Sequence, residues 1–309
     1  MDLSLYKIAR IPKANGKLRV LHIPSPELME KQRELLYNEY RTGVGPGPYA
    51  TGFVRHRSIL DHAKPHIGKK FVVEVDIKDF FHSVRPWHLS RAWQREKLKP
   101  AEILIRKMVV RDRNWQGMMP PIGLLDIAFV WAGKKCFLPQ GSPLSPYLAN
   151  LAMKEADFRI GKLLKAIFKP EDRASFTRYA DNLALSADSE RIVVAAKHVV
   201  EKILLSLKFR VNHTKFRVMR RSARQKVCGI VVNDRATVPR KKRHEIRGRV
   251  ENLWKDAKAG KEVSLEEFKY VEGYLSFVTG IDPKWAARFK EKMAFIREYQ
   301  LSKQLKEEA

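Results

Sequence analysis

Cysteine is almost missing from this chain, with Cys136 and Cys228 the two in 309 residues. They lie far apart and form no CxxC spacing, so neither a disulfide framework nor a structural zinc site is supported, and both read as small buried hydrophobes. Long apolar runs are missing as well. No segment nears the roughly 18 residues that span a bilayer, and the opening MDLSLYKIAR has no hydrophobic leader region. The expectation is a cytoplasmic protein with no membrane partner. Acidic residues are scarce beside basic ones, 34 against 61, which leaves a net charge of +27. A surface this cationic calls for a polyanion, with nucleic acid the leading candidate.

Neither an internal repeat nor a low-complexity tract occurs, and 44% hydrophobic content is ample for two compact units. Residues 40–52, with four Gly and two Pro, read as a mobile surface loop. KFVVEVDIKDFF (70–81) reads as a buried strand carrying Asp76 and Asp79 at its far end. Ser145 as N-cap and Pro146 at the first helical position open one long amphipathic helix, and another helix follows near 189–207. Between them, SFTRYADNLALSA (175–187) reads as two short strands meeting at Ala180-Asp181. Toward the end, 240–258, a capping box SLEE at 264–267 and DPKW at 282–285 start three helices. The charge concentrates here: residues 217–260 hold fourteen Lys or Arg against four Asp or Glu, a pattern that suits an electrostatic track for a phosphate backbone.

Asp181 is open to two readings, a turn-forming residue or a metal ligand. Phosphoryl transfer to a growing strand uses two divalent ions about 3.5–4 Å apart, held by carboxylates from separate segments. Asp76 at a strand end and Asp181 at a hairpin tip are donors of that kind. Gln140-Gly141, before a Pro-punctuated helix start, adds an amide for a nucleotide and a position without a side chain where a base pair could approach.

EVDIKDFFHSV, LPQGSPLSPYLANL and TRYADNLALSA, in that order, resemble the A, B and C motifs of bacterial reverse transcriptases. GKLRVLHIPSPELMEKQR (16–33), TGFVRHRSILDHAKPHIGKKF (51–71) and VNHTK (211–215) resemble further blocks of the same family, and QKVCGIVVNDRATVPRKKRHEIR with GYLSFVTGIDPKW resembles the thumb of the retron subgroup. The resemblance implies an α+β right-hand polymerase fold: fingers over 1–70, palm over 71–235 with a fingers insertion around 86–137, and a helical thumb over 236–309. It implies an RNA-directed DNA polymerase that copies part of a structured noncoding RNA from dNTPs, acts in antiphage defence and works with a separate effector protein.

Carried over by position, the resemblance makes Asp76 and Asp181 the ligands of two magnesium ions, with manganese as the substitute ion. The Ile77 carbonyl completes a shell, and Asn182 takes the third position. Phe81 would exclude a ribose 2'-hydroxyl. Lys17 and Arg19 would grip the triphosphate, Lys215 would sit near the pyrophosphate, and Gln140 and Gly141 would line the nucleotide pocket. Arg220, Arg221, Arg224, Lys226, Arg240, Lys241, Lys242, Arg243 and Arg247 form the basic track.

Four departures stand out. Asn182 replaces the usual second Asp of the turn, His62 replaces Asn in an Asn-Ala-x-x-His signature, Val227-Cys228-Gly229 replaces Val-Thr-Gly, and residues 100–136 form a longer stretch than the retron pattern leads one to expect and carry no recognisable motif. An amide at 182 removes one charge from the metal cluster yet keeps an oxygen, so it weakens affinity without abolishing it. Three origins of Asn182 remain open: a natural weaker site, a deliberate Asp-to-Asn substitution, or natural loss of polymerase activity that leaves an RNA-binding scaffold. A group II intron-type or other defence enzyme is the alternative to a retron enzyme.

Overall fold

A computed structural model describes residues 3–12, 16, 18–41, 45–89, 127–132, 135–213 and 217–307. They divide into two compact units, Met1–His62 with Lys70–Val218, and Ala63–Lys69 with Met219–Ala309. Most of the 100–136 stretch lies outside the described residues.

The first unit begins with an antiparallel hairpin, β1 (Tyr6–Pro12) and β2 (Leu18–Pro24), followed by α1 (Pro26–Arg41) and α2 (Ile59–Ala63). Next come β3 (Phe71–Asp76), α3 (Phe80–Ser83) and a small hairpin of β4 (Val130–Ala132) and β5 (Lys135–Phe137). Then follow α4 (Ser145–Ala152), α5 (Lys154–Ile167), β6 (Ser175–Tyr179), β7 (Asn182–Ala187), α6 (Glu190–Ser206) and β8 (Arg217–Arg220). The central sheet has the order β6-β7-β3-β8, with antiparallel β6–β7 and β3–β7 pairs.

Alternation in the sequence sets the two faces of this sheet. Val73, Val75, Leu183, Leu185 and Phe176 point to one side and join Leu148, Leu151, Ile160, Val193, Val200 and Leu204 from the helices in the main core. Glu74, Asp76, Asn182, Thr177 and Tyr179 occupy the other side by the same period, because cross-strand partners share a face.

The single helix expected from Ser145 is interrupted at Met153, which closes α4 and opens α5 at φ −82° and ψ −9°. Ser145 is a helical residue, not the cap; Leu144 holds that position. Past the interruption, Asp157 is fully buried against Arg178 of β6. Arg178 Nε donates to Asp157 Oδ1 at 2.8 Å and Nη2 to Oδ2 at 2.7 Å, while Nη1 reaches Asn150 Oδ1 at 2.9 Å and the Ala180 carbonyl at 3.0 Å.

The 40–52 stretch is also different from a surface loop where it is described. Ala50 bridges Arg178 in parallel, Arg178 N donates to Tyr49 O at 2.8 Å, Thr51 N donates to Arg178 O at 2.8 Å, and Ala50, Thr51 and Gly52 are buried. Two of its glycines, Gly47 and Gly52, serve close packing. A Cβ on Gly47 would stand 2.8 Å from Asp157 Oδ2, and one on Gly52 would stand 2.9 Å from Ala180 N.

In the second unit, β9 (Lys226–Val227) and β10 (Ile230–Val231) form a tight hairpin with Cys228 and Gly229 at positive φ, 47° and 84°. Cys228 is therefore a half-exposed turn residue, whereas Cys136 is buried as expected and its thiol pKa is pushed up by that burial. Four helices follow: α7 (Arg240–Lys258), α8 (Leu265–Thr279), the short α9 (Pro283–Ala286) and α10 (Lys290–Glu307). Ser264 caps α8 by accepting from Glu267 N at 3.3 Å. The third helical segment expected from DPKW is broken by a 3-10 turn at Ala287–Phe289, yet Trp285, Phe289, Met293 and Ile296 all remain buried. They share this fate with Ile246, Val250 and Leu253 of α7 and Phe268, Val271 and Leu275 of α8.

Arg178→Met strands the Asp157 carboxylate in the core and is expected to cost about 3–5 kcal/mol in urea unfolding. Arg178→Met/Asp157→Leu should recover at least half of that loss. A single variant within about 1 kcal/mol of the parent would deny the pair its bracing role.

Candidate active site

The turn between β6 and β7 holds Ala180 in the left-handed region at φ 54°, a conformation that disfavours a residue with a Cβ. It is braced on two sides, by the Arg178 guanidinium on the Ala180 carbonyl and by the close backbone of Gly52. Asp181 follows at the tip, half-buried, and its carbonyl accepts from Ile77 N at 3.0 Å. The end of β3 is therefore clamped to the hairpin tip, and the Asp76 and Asp181 segments lie side by side.

Asp76 sits opposite Asn182 in the β3–β7 register. From the other side, Asn212 N donates to Asp76 O at 2.8 Å and Asn212 Nδ2 donates to Asp76 Oδ2 at 3.2 Å. Lys78 N donates to Arg210 O at 2.8 Å, and Ile77 pairs with Val211. Asn212 belongs to VNHTK, but its direct hold on Asp76 was not among the sequence expectations. Its place after the apolar Val211 was the available signal.

Asn182 is half-buried on the polar face beside Asp76, and its Oδ1 is buried without a hydrogen-bond partner of good geometry among the described residues. His62 covers the same face. The Thr177 hydroxyl lies 2.7 Å from His62 Nδ1 and within 3.1 Å of the His62 carbonyl, and the Tyr179 ring is 5.9 Å from the imidazole. Burial pushes the His62 pKa down to about 4; the Asn182 amide favours the charged ring and the Arg178 charge opposes it. The residue that departs from the Asn-Ala-x-x-His signature thus lies against the one that departs from the Asp-Asp turn.

The Gln140-Gly141 loop is held against β2, with His22 N donating to Gln140 O at 2.6 Å. Gly141 has φ +123°, and a Cβ there would stand 2.7 Å from the His22 carbonyl, so the close approach that requires glycine is to protein backbone. The His22 ring, its pKa lowered by burial, lies 5.4 Å from Phe137 and 6.0 Å from His82. Phe81 is half-buried, and its carbonyl accepts from Leu138 N at 3.2 Å, which ties α3 to the same loop. Arg19 is exposed on β2, three residues before His22. Lys17 and Lys215 lie outside the described residues.

The basic track falls in the second unit, where its members differ in surroundings. Arg221 pairs with Asp234 at 3.0 Å, and Lys242 is held by Glu245 at 2.6 Å and by the Tyr270 hydroxyl. Arg220, Arg224 and Lys241 are exposed, and Lys226 is half-buried in β9. Arg240 and Arg247 are exposed on α7, with Arg243 half-buried between them.

The donor set suits a hard divalent cation: two carboxylates on rigid adjoining segments and a neighbouring backbone carbonyl. Its third position is an amide, and no group of three or more His, Cys, Asp or Glu able to hold a metal occurs among the described residues. None of the described helices is long and apolar enough to cross a membrane.

An antiparallel sheet backed by helices, with acidic residues at one strand end and at the adjoining hairpin turn, is the palm of a right-hand polymerase. Residues 11–248 match the reverse transcriptase (RNA-dependent DNA polymerase) family, and the chain belongs to it. Retron relatives are prominent. The chain is 29% identical to the retron Ec86 reverse transcriptase of Escherichia coli, over 90% of this chain and 77% of that one. It is 33% identical to the retron Mx162 enzyme of Myxococcus xanthus, over 88% of this chain and 57% of that longer relative. Among solved structures, telomerase from Candida albicans covers 95% of this chain and 56% of its own at TM-score 0.50 and 14% identity. Apo telomerase from Candida tropicalis covers 76% of this chain and 55% of its own at TM-score 0.51 and 13% identity. Both likenesses concern the fold.

A histidine with a folded pKa near 4, against about 6.5 unfolded, binds fewer protons in the native state between those values. Its neutral burial favours folding above about pH 6.5, and that contribution is lost as pH falls toward 4, up to about 3 kcal/mol. His62→Asn removes the titration, so thermal melts across this window should show a flatter pH dependence for the variant. Parallel curves would assign the acid sensitivity elsewhere.

Proposed function

We propose that this protein is an RNA-directed DNA polymerase of retron type, which binds a structured noncoding RNA and copies part of it into DNA from dNTPs. The observation that carries this reading is the cross-strand placement of Asp76 beside the YADN turn, clamped by the Ile77–Asp181 backbone bond. Asp76 and Asp181 hold magnesium, with manganese as substitute, and the Ile77 carbonyl contributes an oxygen. Two bound ions would activate the primer hydroxyl and stabilise the departing pyrophosphate. Phe81 excludes the ribose 2'-hydroxyl, Gln140 and Gly141 border the incoming nucleotide, and Lys17, Arg19 and Lys215 neutralise its phosphates. The 1–70, 71–235 and 236–309 segments act as fingers, palm and thumb, and the basic residues of the last part of the chain carry the RNA. The reading extends to cytoplasmic antiphage defence with a separate effector protein, for which the retron likeness is the support.

Asn182 favours a second reading, an RNA-binding scaffold with an idle site. Opposite Asp76, an amide avoids the repulsion that two carboxylates in direct cross-strand register would suffer. That relief stabilises the metal-free protein at the expense of cation affinity.

Primer extension with the parent, Asn182→Asp and Asp181→Ala separates the two readings. Asn182→Asp should incorporate faster than the parent, and Asp181→Ala should lose about a thousandfold or more, the equivalent of roughly 4 kcal/mol. No product from either the parent or Asn182→Asp would sink the polymerase reading. In melts without divalent ions, Asn182→Asp should be less stable than the parent by up to about 1 kcal/mol, and millimolar magnesium should stabilise it more than it stabilises the parent.

A further inference from the structure

Within the second unit, Arg240, Arg243, His244 and Arg247 stand at i, i+3, i+4 and i+7 on α7 and so share one face over its first two turns. Across from them, Trp285 of α9 and Arg288 of the 3-10 turn complete a pocket of about 180 Å3. Its described lining holds four guanidinium groups, one imidazole and one indole, and no carboxylate.

The neighbouring cations are different. Arg249 Nη1 donates to both carboxylate oxygens of Glu267 at 2.7 Å, and Lys242 is paired with Glu245. In the pocket, Arg240 Nε and Arg247 Nη2 approach opposite nitrogens of His244 at 3.3 and 3.0 Å. A neutral imidazole accepts at one nitrogen only, so it cannot satisfy both arginines. Arg243 Nε is buried and has no hydrogen-bond partner among the described residues. Like charges on one helix face repel, and a buried guanidinium nitrogen without an acceptor costs further free energy. An anion in the pocket relieves both penalties.

Guanidinium forks match the oxygens of a phosphate in bidentate fashion. The volume is below the roughly 300 Å3 at which pockets begin to enclose whole small molecules, so it accommodates an anionic group, not a complete nucleotide. Trp285, only 8% exposed and packed on Phe289, gives the pocket an apolar wall.

We infer that this pocket anchors one backbone phosphate of the RNA, with Arg240, Arg243, His244, Arg247 and Arg288 as its ligands. The assignment rests on the reading of the protein as an RNA-copying polymerase and deepens it. Exposed lysines attract a strand at any register, whereas a phosphate held by several guanidinium groups fixes one position of the strand on the protein.

The test uses the full chain, inorganic phosphate and a synthetic stem-loop RNA. Its variants are Arg247→Gln/Arg288→Gln, both exposed positions, and Lys284→Gln as an exposed control outside the pocket. Phosphate should raise the melting temperature of the parent and of Lys284→Gln above that in chloride of equal ionic strength, and it should fail to do so in the double variant. The double variant should bind the stem-loop about tenfold more weakly, with a log-log salt slope shallower by roughly 0.9, the loss of one phosphate contact. Equal phosphate shifts in parent and double variant, or unchanged RNA affinity and slope, would overturn the inference. Phosphate stabilisation without RNA binding by the parent would overturn the RNA assignment and leave a site for a small phosphate ligand. Failure of the polymerase reading registers separately, as absent primer extension by the parent and Asn182→Asp.

Discussion

The buried pair between Arg178 and Asp157 is the interaction on which the geometry around the hairpin turn depends. Both side chains are fully enclosed, a placement that is tolerable only when every donor and lone pair finds a partner. Here the guanidinium is shared between Asp157, Asn150 and the Ala180 carbonyl, so one side chain ties β6 to α4, α5 and the strained residue just before Asp181. The backbone of the same residue accepts the 49–51 segment as an extra edge. A charge in the core thus serves geometry: it restricts where the tip of the hairpin can stand.

The opposite face of the sheet holds the polar residues to which the proposed function assigns the chemistry. Period-2 alternation places Asp76, Asn182, Thr177 and Tyr179 there together, and His62 closes over part of it. Asn182 and His62, each a departure from the family pattern, are neighbours. Their proximity gives the two substitutions a common physical setting. An uncharged amide beside Asp76 lowers the repulsion on that face, and a neutral imidazole tolerates burial where a charged one would not.

In the second unit, charge divides by partner. Lys242, Glu245, Arg249 and Glu267 neutralise one another along one side of α7 and α8, which accounts for part of the basic run as ordinary surface pairing. Among the described residues, no carboxylate lines the pocket that the arginines around His244 form. A count of charges along the sequence treats both groups alike, because it cannot register which residues a helix turns toward each other.

Much of the fold was legible because it rests on local pattern. The strand ending at Asp76, the hairpin of SFTRYADNLALSA, the 240–258 helix and the Ser264 cap follow from alternation, helical period and capping chemistry, all of which act over a few residues. The break at Met153 did not, since both segments keep a helical pattern and the burial of Asp157 against Arg178 is a long-range constraint. The 45–52 segment departs from the surface loop that its Gly and Pro imply, because Gly47 and Gly52 are small here to admit a carboxylate and a backbone nitrogen. The sequence by itself determined the order of the motifs, the two faces of the sheet and the acidic residues proposed as donors. Only the tertiary structure decided that Arg178 braces the turn, that Asn212 holds Asp76 and that His62 meets Asn182. Those contacts join residues more than twenty positions apart or depend on which way a buried side chain turns, and local propensity carries no record of either.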